Sequence, residues 1–188
     1  MSPWRAVLDY TAHPDPLVAA GNLIAVVIAW NQPFYPLYLY FLVGDGVGVS
    51  FFTFLSTPFF LAVPLVARHH SLAGRAMLPL TGIANTVMCA KLFGEASGVE
   101  LFLVPCIMAA AMLFRRSERL VMLALVGLGL LAYIGLHGRY GASYHLYSAD
   151  EYARFFGLNA LSVGTLVAFI GVAFANAIAD IESRRQDL

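Results

Sequence analysis

The sequence predicts an all-α membrane protein: a bundle of six transmembrane helices with both ends on the cytoplasmic side and a last helix that extends into a short coiled coil. Of 188 residues, 60% are hydrophobic and only 12% charged, against about 25% charged in an ordinary soluble domain. Mean hydropathy is +0.76. The apolar residues arrive in long blocks rather than in alternation with polar ones. A soluble core of this size cannot absorb so much apolar surface, so the solvent is lipid.

Charges and turn residues set the element boundaries. The first block opens at Leu17, behind Arg5, Asp9 and Asp15, and is too long for the apolar region of a signal peptide. It is uncharged as far as Asp45 and gives a first span over residues 17–43. The second span, 47–67, ends at Arg68-His69-His70. The third, 76–93, ends at the turn Gly94-Glu95-Ala96-Ser97-Gly98. The fourth, 99–114, ends at Arg115-Arg116-Ser117-Glu118-Arg119, the fifth is 120–136, and the sixth is 155–179. A helix needs about 20 residues to cross a hydrocarbon core of about 30 Å. The first and sixth spans exceed this and predict tilt, whereas the fourth falls short and predicts local thinning around its hairpin. Residues 2–10, with Trp4, Val7 and Leu8, suit either a short interfacial amphipathic helix or an ordered tail.

Orientation follows from the basic residues. With the N-terminus inside, Arg5, Arg68, Arg75, Arg115, Arg116, Arg119, Arg184 and Arg185 lie inside, and only Lys91, Arg139 and Arg154 lie outside. This is the pattern of a multi-pass protein of the cell inner membrane. The formal net charge is zero and gives no footprint for nucleic acid.

Polar residues inside lipid need a reason. Asn31-Gln32-Pro33, followed by Pro36, predicts a kink in the first span. There the amides either satisfy freed carbonyls or face a ligand, and Trp30, Phe34, Tyr35, Tyr38 and Tyr40 surround them. Asn85 and Asn159 read as interhelical hydrogen-bonding residues or ligand contacts. Lys91 and Glu100 predict an ion pair across the third–fourth hairpin, with a ligand-sensing carboxylate as the sharper alternative. The candidate polar ligand-binding set is therefore Asn31, Gln32, Tyr35, Tyr38, Asn85, Glu100 and Asn159. No span carries a mid-helix histidine: His13, His69, His70, His137 and His145 all lie near helix ends or in loops. No haem, metal site or other cofactor is expected. Cys89 and Cys106 read as small apolar core residues, and no catalytic motif is present.

Beyond the membrane, Phe174, Ile178, Ile181, Arg185 and Leu188 follow a 4-3-4-3 spacing, the seam of a parallel coiled coil. Arg185 falls on the seam itself. Phe174, Ile178, Ile181 and Leu188 are the apolar positions of the expected homodimer seam. The pattern stops without a capping signal, as expected of a helix that leads on to a partner or further chain.

The stretch Leu8-Asp9-Tyr10-Thr11-Ala12-His13-Pro14-Asp15-Pro16, then Gly21-Asn22, and Pro33 with Tyr35 and Tyr38 resemble the opening of certain six-helix membrane receptor domains. These precede bacterial quorum-sensing histidine kinases and some membrane-bound class III adenylate cyclases. Phe93-Gly94, the run Ser97-Gly98-Val99-Glu100-Leu101-Phe102 and the Arg-rich inner loop are similar to the same group. The resemblance implies a receptor domain over residues 1–179 that binds a small lipophilic signal, and the start of a signalling helix over 180–188. The helix would act on a kinase or cyclase effector not found in these 188 residues. A small transporter or channel, and a redox or lipid-modifying membrane enzyme using the Tyr/His-rich loop 137–154, are the alternative classes.

Overall fold

A computed structural model describes residues 3–186, which are helical almost throughout, with no strand among them. Five helical runs are long and apolar enough to cross a membrane: Pro16–Val43, Val47–His69, Ser71–Phe93, Arg116–Leu136 and Ala149–Gln186. These mark a multi-pass membrane protein. The apolar run Val99–Met112 is shorter.

Helix α1 (Pro3–Thr11) exposes Trp4 and Leu8, as an interfacial helix would. Its end is tied down by Tyr10, whose hydroxyl donates to the Leu61 carbonyl at 2.5 Å, while Arg68 lies 5.4 Å from the Tyr10 ring centroid. Helix α2 (Pro16–Asn31) begins where the Asp15 carboxylate accepts the Leu17 amide and Pro16 supplies a pre-set φ. Buried Asn22 donates to the Thr11 carbonyl and joins α2 to α1.

The expected kink is present. Pro33 has no N–H to donate, so α2 gives way to a 3-10 turn (Gln32–Phe34), one turn of helix α3 (Tyr35–Tyr38) and a π-helical turn (Leu39–Val43). Gln32 does not turn back onto its own helix. Its Nε2 donates to the Thr53 carbonyl at 3.1 Å and to Ser56 Oγ at 2.5 Å, and its Oε1 accepts from Thr57 Oγ1 at 2.6 Å. These partners lie where the next run is itself loosened, between α4 (Val47–Ser50), a 3-10 segment (Phe51–Ser56) and α5 (Thr57–His69). The two irregular stretches thus satisfy each other.

Helix α5 turns into α6 (Ser71–Phe93) through His70 alone, whose Nδ1 accepts the Ala73 amide. Two 3-10 segments follow (Glu95–Ser97 and Val99–Phe102), then α7 (Leu103–Met112). The 3-10 form rises about 2.0 Å per residue against about 1.5 Å for the α-helix. Residues 99–112 therefore reach about 23 Å, still short of a core of about 30 Å. Gly98 (φ +73°) permits the turn, and a Cβ there would stand 2.5 Å from Phe156. Helix α8 (Arg119–Leu136) and the loop after it lead to α9 (Ala149–Gln186). Ser148 and Glu151 cap α9 reciprocally. With 38 residues, α9 is about 57 Å long and runs well past a bilayer core.

Two apolar clusters divide the interior. One, around Ile24, Phe60, Leu78, Leu113, Ile170 and Phe174, occupies the half next to the Arg-rich loop. The other, around Leu39, Phe93, Val99, Tyr147 and Phe155, occupies the opposite half. Phe174, at the head of the expected seam, is 1% exposed inside the first cluster. Ile181 lies in a groove against Pro14, Leu17 and Arg115. Ile178 is exposed, and Leu188 lies outside the described residues.

Candidate functional site

Between the two clusters is a cavity of about 610 Å³. Its walls come from α2 and the break below it, from α6 and α7, and from the middle of α9. Ile24, Ile28, Phe60, Leu78, Phe102 and Phe169 make it mainly apolar. Trp30, Asn31 and Tyr38 on one side and Leu161 and Thr165 on the other line the cavity and are also exposed. The mouth therefore lies between the first helical run and α9, at mid-helix height, where a membrane-embedded bundle meets lipid.

Five of the seven expected polar residues line this cavity: Asn31, Gln32, Tyr35, Tyr38 and Asn85. They are not equally free. The Gln32 amide is consumed by Thr53, Ser56 and Thr57. The Tyr35 hydroxyl donates to Asn159 Oδ1 at 2.9 Å. Asn159 is fully buried behind the wall, and its Nδ2 donates to the Ser97 carbonyl at 2.9 Å. It is thus an interhelical bridge that fixes the Tyr35 ring. The Asn31 side chain makes no hydrogen bond to the described residues, and the Asn85 side chain has only a 3.9 Å approach from Cys89 Sγ. The cavity therefore presents two amides with unspent hydrogen-bonding capacity.

Sequence reasoning missed several wall residues. Thr86, Ser162 and Thr165 line the cavity, but each hydroxyl donates to the carbonyl four residues earlier, so its proton is already spent on the helix backbone. Cys89 and Cys106, read as core, are also wall residues. A helical wheel anchored on Asn85 picks out Gly82 and Cys89 as its neighbours on the same face, and both line the cavity.

Glu100 is placed elsewhere, and the expected Lys91–Glu100 ion pair does not form. The Lys91 ammonium instead donates to the carbonyls of Tyr140 at 2.9 Å and Ala142 at 2.6 Å. The loop after α8 folds over the end of α6 and brings those carbonyls within reach, so Lys91 is spent on backbone. Glu100 Oε2 meets His137 Nδ1 at 2.7 Å, and Glu95 Oε2 lies 3.9 Å from the same nitrogen. The hydrogen bond to Glu100 holds the His137 pKa above its ordinary value. Tyr140, beside the same carboxylate, is pushed up to about 12, first by burial and then by the Glu100 charge. No protein-family model, curated protein or solved structure matches the chain.

Proposed function

We propose that this chain is a membrane sensor module that binds a small lipophilic ligand in the cavity and passes a change in helix packing along α9. In this reading the short run Val99–Met112 also crosses, with local thinning, which gives six spans with the Arg-rich end in the cytoplasm of an inner-membrane protein. The observation that carries it is the position of the mouth, between the broken first run and α9. A ligand entering there from the bilayer touches the one helix that continues through Gln186. A volume of about 610 Å³ lies inside the usual range of about 300–1,000 Å³ for small-molecule sites. The apolar wall favours an aliphatic ligand, and Asn31 and Asn85 supply the orienting polar contacts.

Mechanistically, the ligand shifts a population between two packings of α9 against α2. The near end of α9 is fastened to the α1–α2 corner, because Arg184 donates to the Pro14 carbonyl at 3.2 Å. Movement of α2 is thereby transmitted to the end of α9. A cytoplasmic kinase or cyclase effector is the output that the resemblance to quorum-sensing and cyclase receptor domains supports. In a homodimer the exposed Ile178 is the described seam residue left for the partner.

Trp30 at the mouth provides the test. In a Trp4→Phe background it is the only remaining tryptophan. Titrating the chain in nanodiscs with bromododecanol is expected to give saturable quenching, weakened about 2- to 10-fold by Asn85→Leu, as the loss of one hydrogen bond predicts. Quenching that rises without saturation and is identical in the variant would overturn the reading.

A further inference from the structure

We propose that Glu95, Glu100 and His137 form a binding site for a divalent first-row transition ion at the end of the bundle opposite the Arg-rich loop. The three side chains come from different elements: the turn after α6, the 3-10 start of the short run, and the residue that caps α8. Their ligand atoms all lie within 4.8 Å of one another. His137 Nδ1 lies 2.7 Å from Glu100 Oε2 and 3.9 Å from Glu95 Oε2. Both distances fall within the span of at most about 4.4 Å open to two ligands at bond lengths of about 2.0–2.2 Å, and small rotations of the glutamate side chains would close the set on one ion.

The ligand is called for by Glu100. This residue is 7% exposed, its Oε2 meets His137, and its Oε1 is buried with no hydrogen-bond partner. A buried carboxylate with an empty oxygen is costly, and an ion between the two glutamates removes that cost. The buried Tyr140 hydroxyl stands beside the same carboxylate without a formed hydrogen bond, a position from which it can support the bound carboxylate as an outer contact. No lysine or arginine competes for Glu95 or Glu100 in any ion pair among the described residues, since Lys91 is held by loop carbonyls. Two carboxylates would neutralise a divalent charge.

Supporting contacts orient the ligands. The Gly138 amide donates to Glu95 Oε1 at 2.6 Å and leaves Oε2 for the ion. The Tyr133 ring stacks on the His137 imidazole at 4.9 Å and 25°. Such outer contacts fix ligand orientation in metal sites. The donor set selects the ion class. One imidazole nitrogen with two carboxylates suits zinc and its neighbours, whereas calcium and magnesium prefer all-oxygen sites. Three protein ligands leave a position open, and His137 is half-exposed, so water has access. The ion would bind the Glu95 turn and the start of the short run to the end of α8. That turn carries Ser97, whose carbonyl anchors Asn159. The site does not depend on the sensor reading.

Calorimetric titration of the full chain in detergent with ZnCl₂ tests it, with Co²⁺ as a spectroscopic stand-in. The expected result is one equivalent bound, visible Co²⁺ bands, and at least about a 10-fold loss of affinity in His137→Ala and in Glu95→Gln. Both substitutions change partly exposed side chains, so folding is preserved even if Glu100→Gln fails to fold. The proposal is overturned by the absence of saturable zinc binding, which would mean that Glu100 pairs with His137 alone. It is equally overturned if zinc binding persists unchanged in both variants, or is lost only in His70→Ala. Calcium binding as tight as zinc would overturn the ion class.

Discussion

The two ends of the bundle handle buried charge in opposite ways. Next to the Arg-rich loop, Arg75 is 2% exposed yet fully matched. Its guanidinium grips both Glu118 oxygens at 2.6 and 2.7 Å, donates to the Leu113 carbonyl and lies over Phe114. Asp15 both caps α2 and pairs with Arg115. At the opposite end Glu100 Oε1 accepts no hydrogen bond, the Tyr140 hydroxyl stands beside that carboxylate without a formed bond, the Tyr147 hydroxyl has no partner, and His145 Nε2 has only a 3.3 Å approach to Asp45. All the buried unpartnered side-chain atoms among the described residues lie at this end. The first end is built to hold the helices together. The second carries polar capacity that the fold does not use, which is the capacity the proposed ion would take up.

Substitutions at the two ends should differ accordingly. Glu118→Ala strands the buried Arg75 guanidinium and should cost about 3–5 kcal/mol, read as a lowered melting temperature in detergent. If it costs no more than Glu100→Gln, the contrast fails. Between the ends, Asn159→Leu leaves the Tyr35 hydroxyl and the Ser97 carbonyl without partners. A loss of about 1–3 kcal/mol per stranded group follows, with weaker bromododecanol binding because Tyr35 is no longer fixed. Gly98→Ala places a Cβ against Phe156 at positive φ and should destabilise by about 1–3 kcal/mol, partly recovered by adding Phe156→Ala. Smallest of all, Asn31→Leu should leave melting within about 0.5 kcal/mol of wild type while weakening ligand binding. A large stability loss there would show Asn31 to be structural, as Gln32 is.

Much of this architecture was legible in the sequence, because charges cannot sit in lipid and so punctuate the apolar runs. Asp15, Arg68 and Arg115 lie near run boundaries, and Pro33 marks the break. The partner of Gln32 was not legible, since nothing local says that residues 51–57 lose regular helix pairing and offer an acceptor. Proximity in sequence suggests a Lys91–Glu100 pair, but the carbonyls of a loop 49 and 51 residues away hold the lysine. The Glu95–Glu100–His137 cluster does have a signal in the sequence. Alternating runs bring the turn at 94–100 and the end of α8 to one end of the bundle, where two glutamates and a histidine can meet.

Signalling through this chain requires that occupancy of the cavity move α9. Double electron–electron resonance between spin labels at Arg119→Cys and Ile178→Cys tests this directly, with Cys89 and Cys106 replaced by alanine and the labelled chain diluted with unlabelled protein. Saturating bromododecanol is predicted to shift the distance distribution by about 1–2 Å, the scale of a helix shift between packed states. An unchanged distribution under conditions where Trp30 quenching is complete would contradict it.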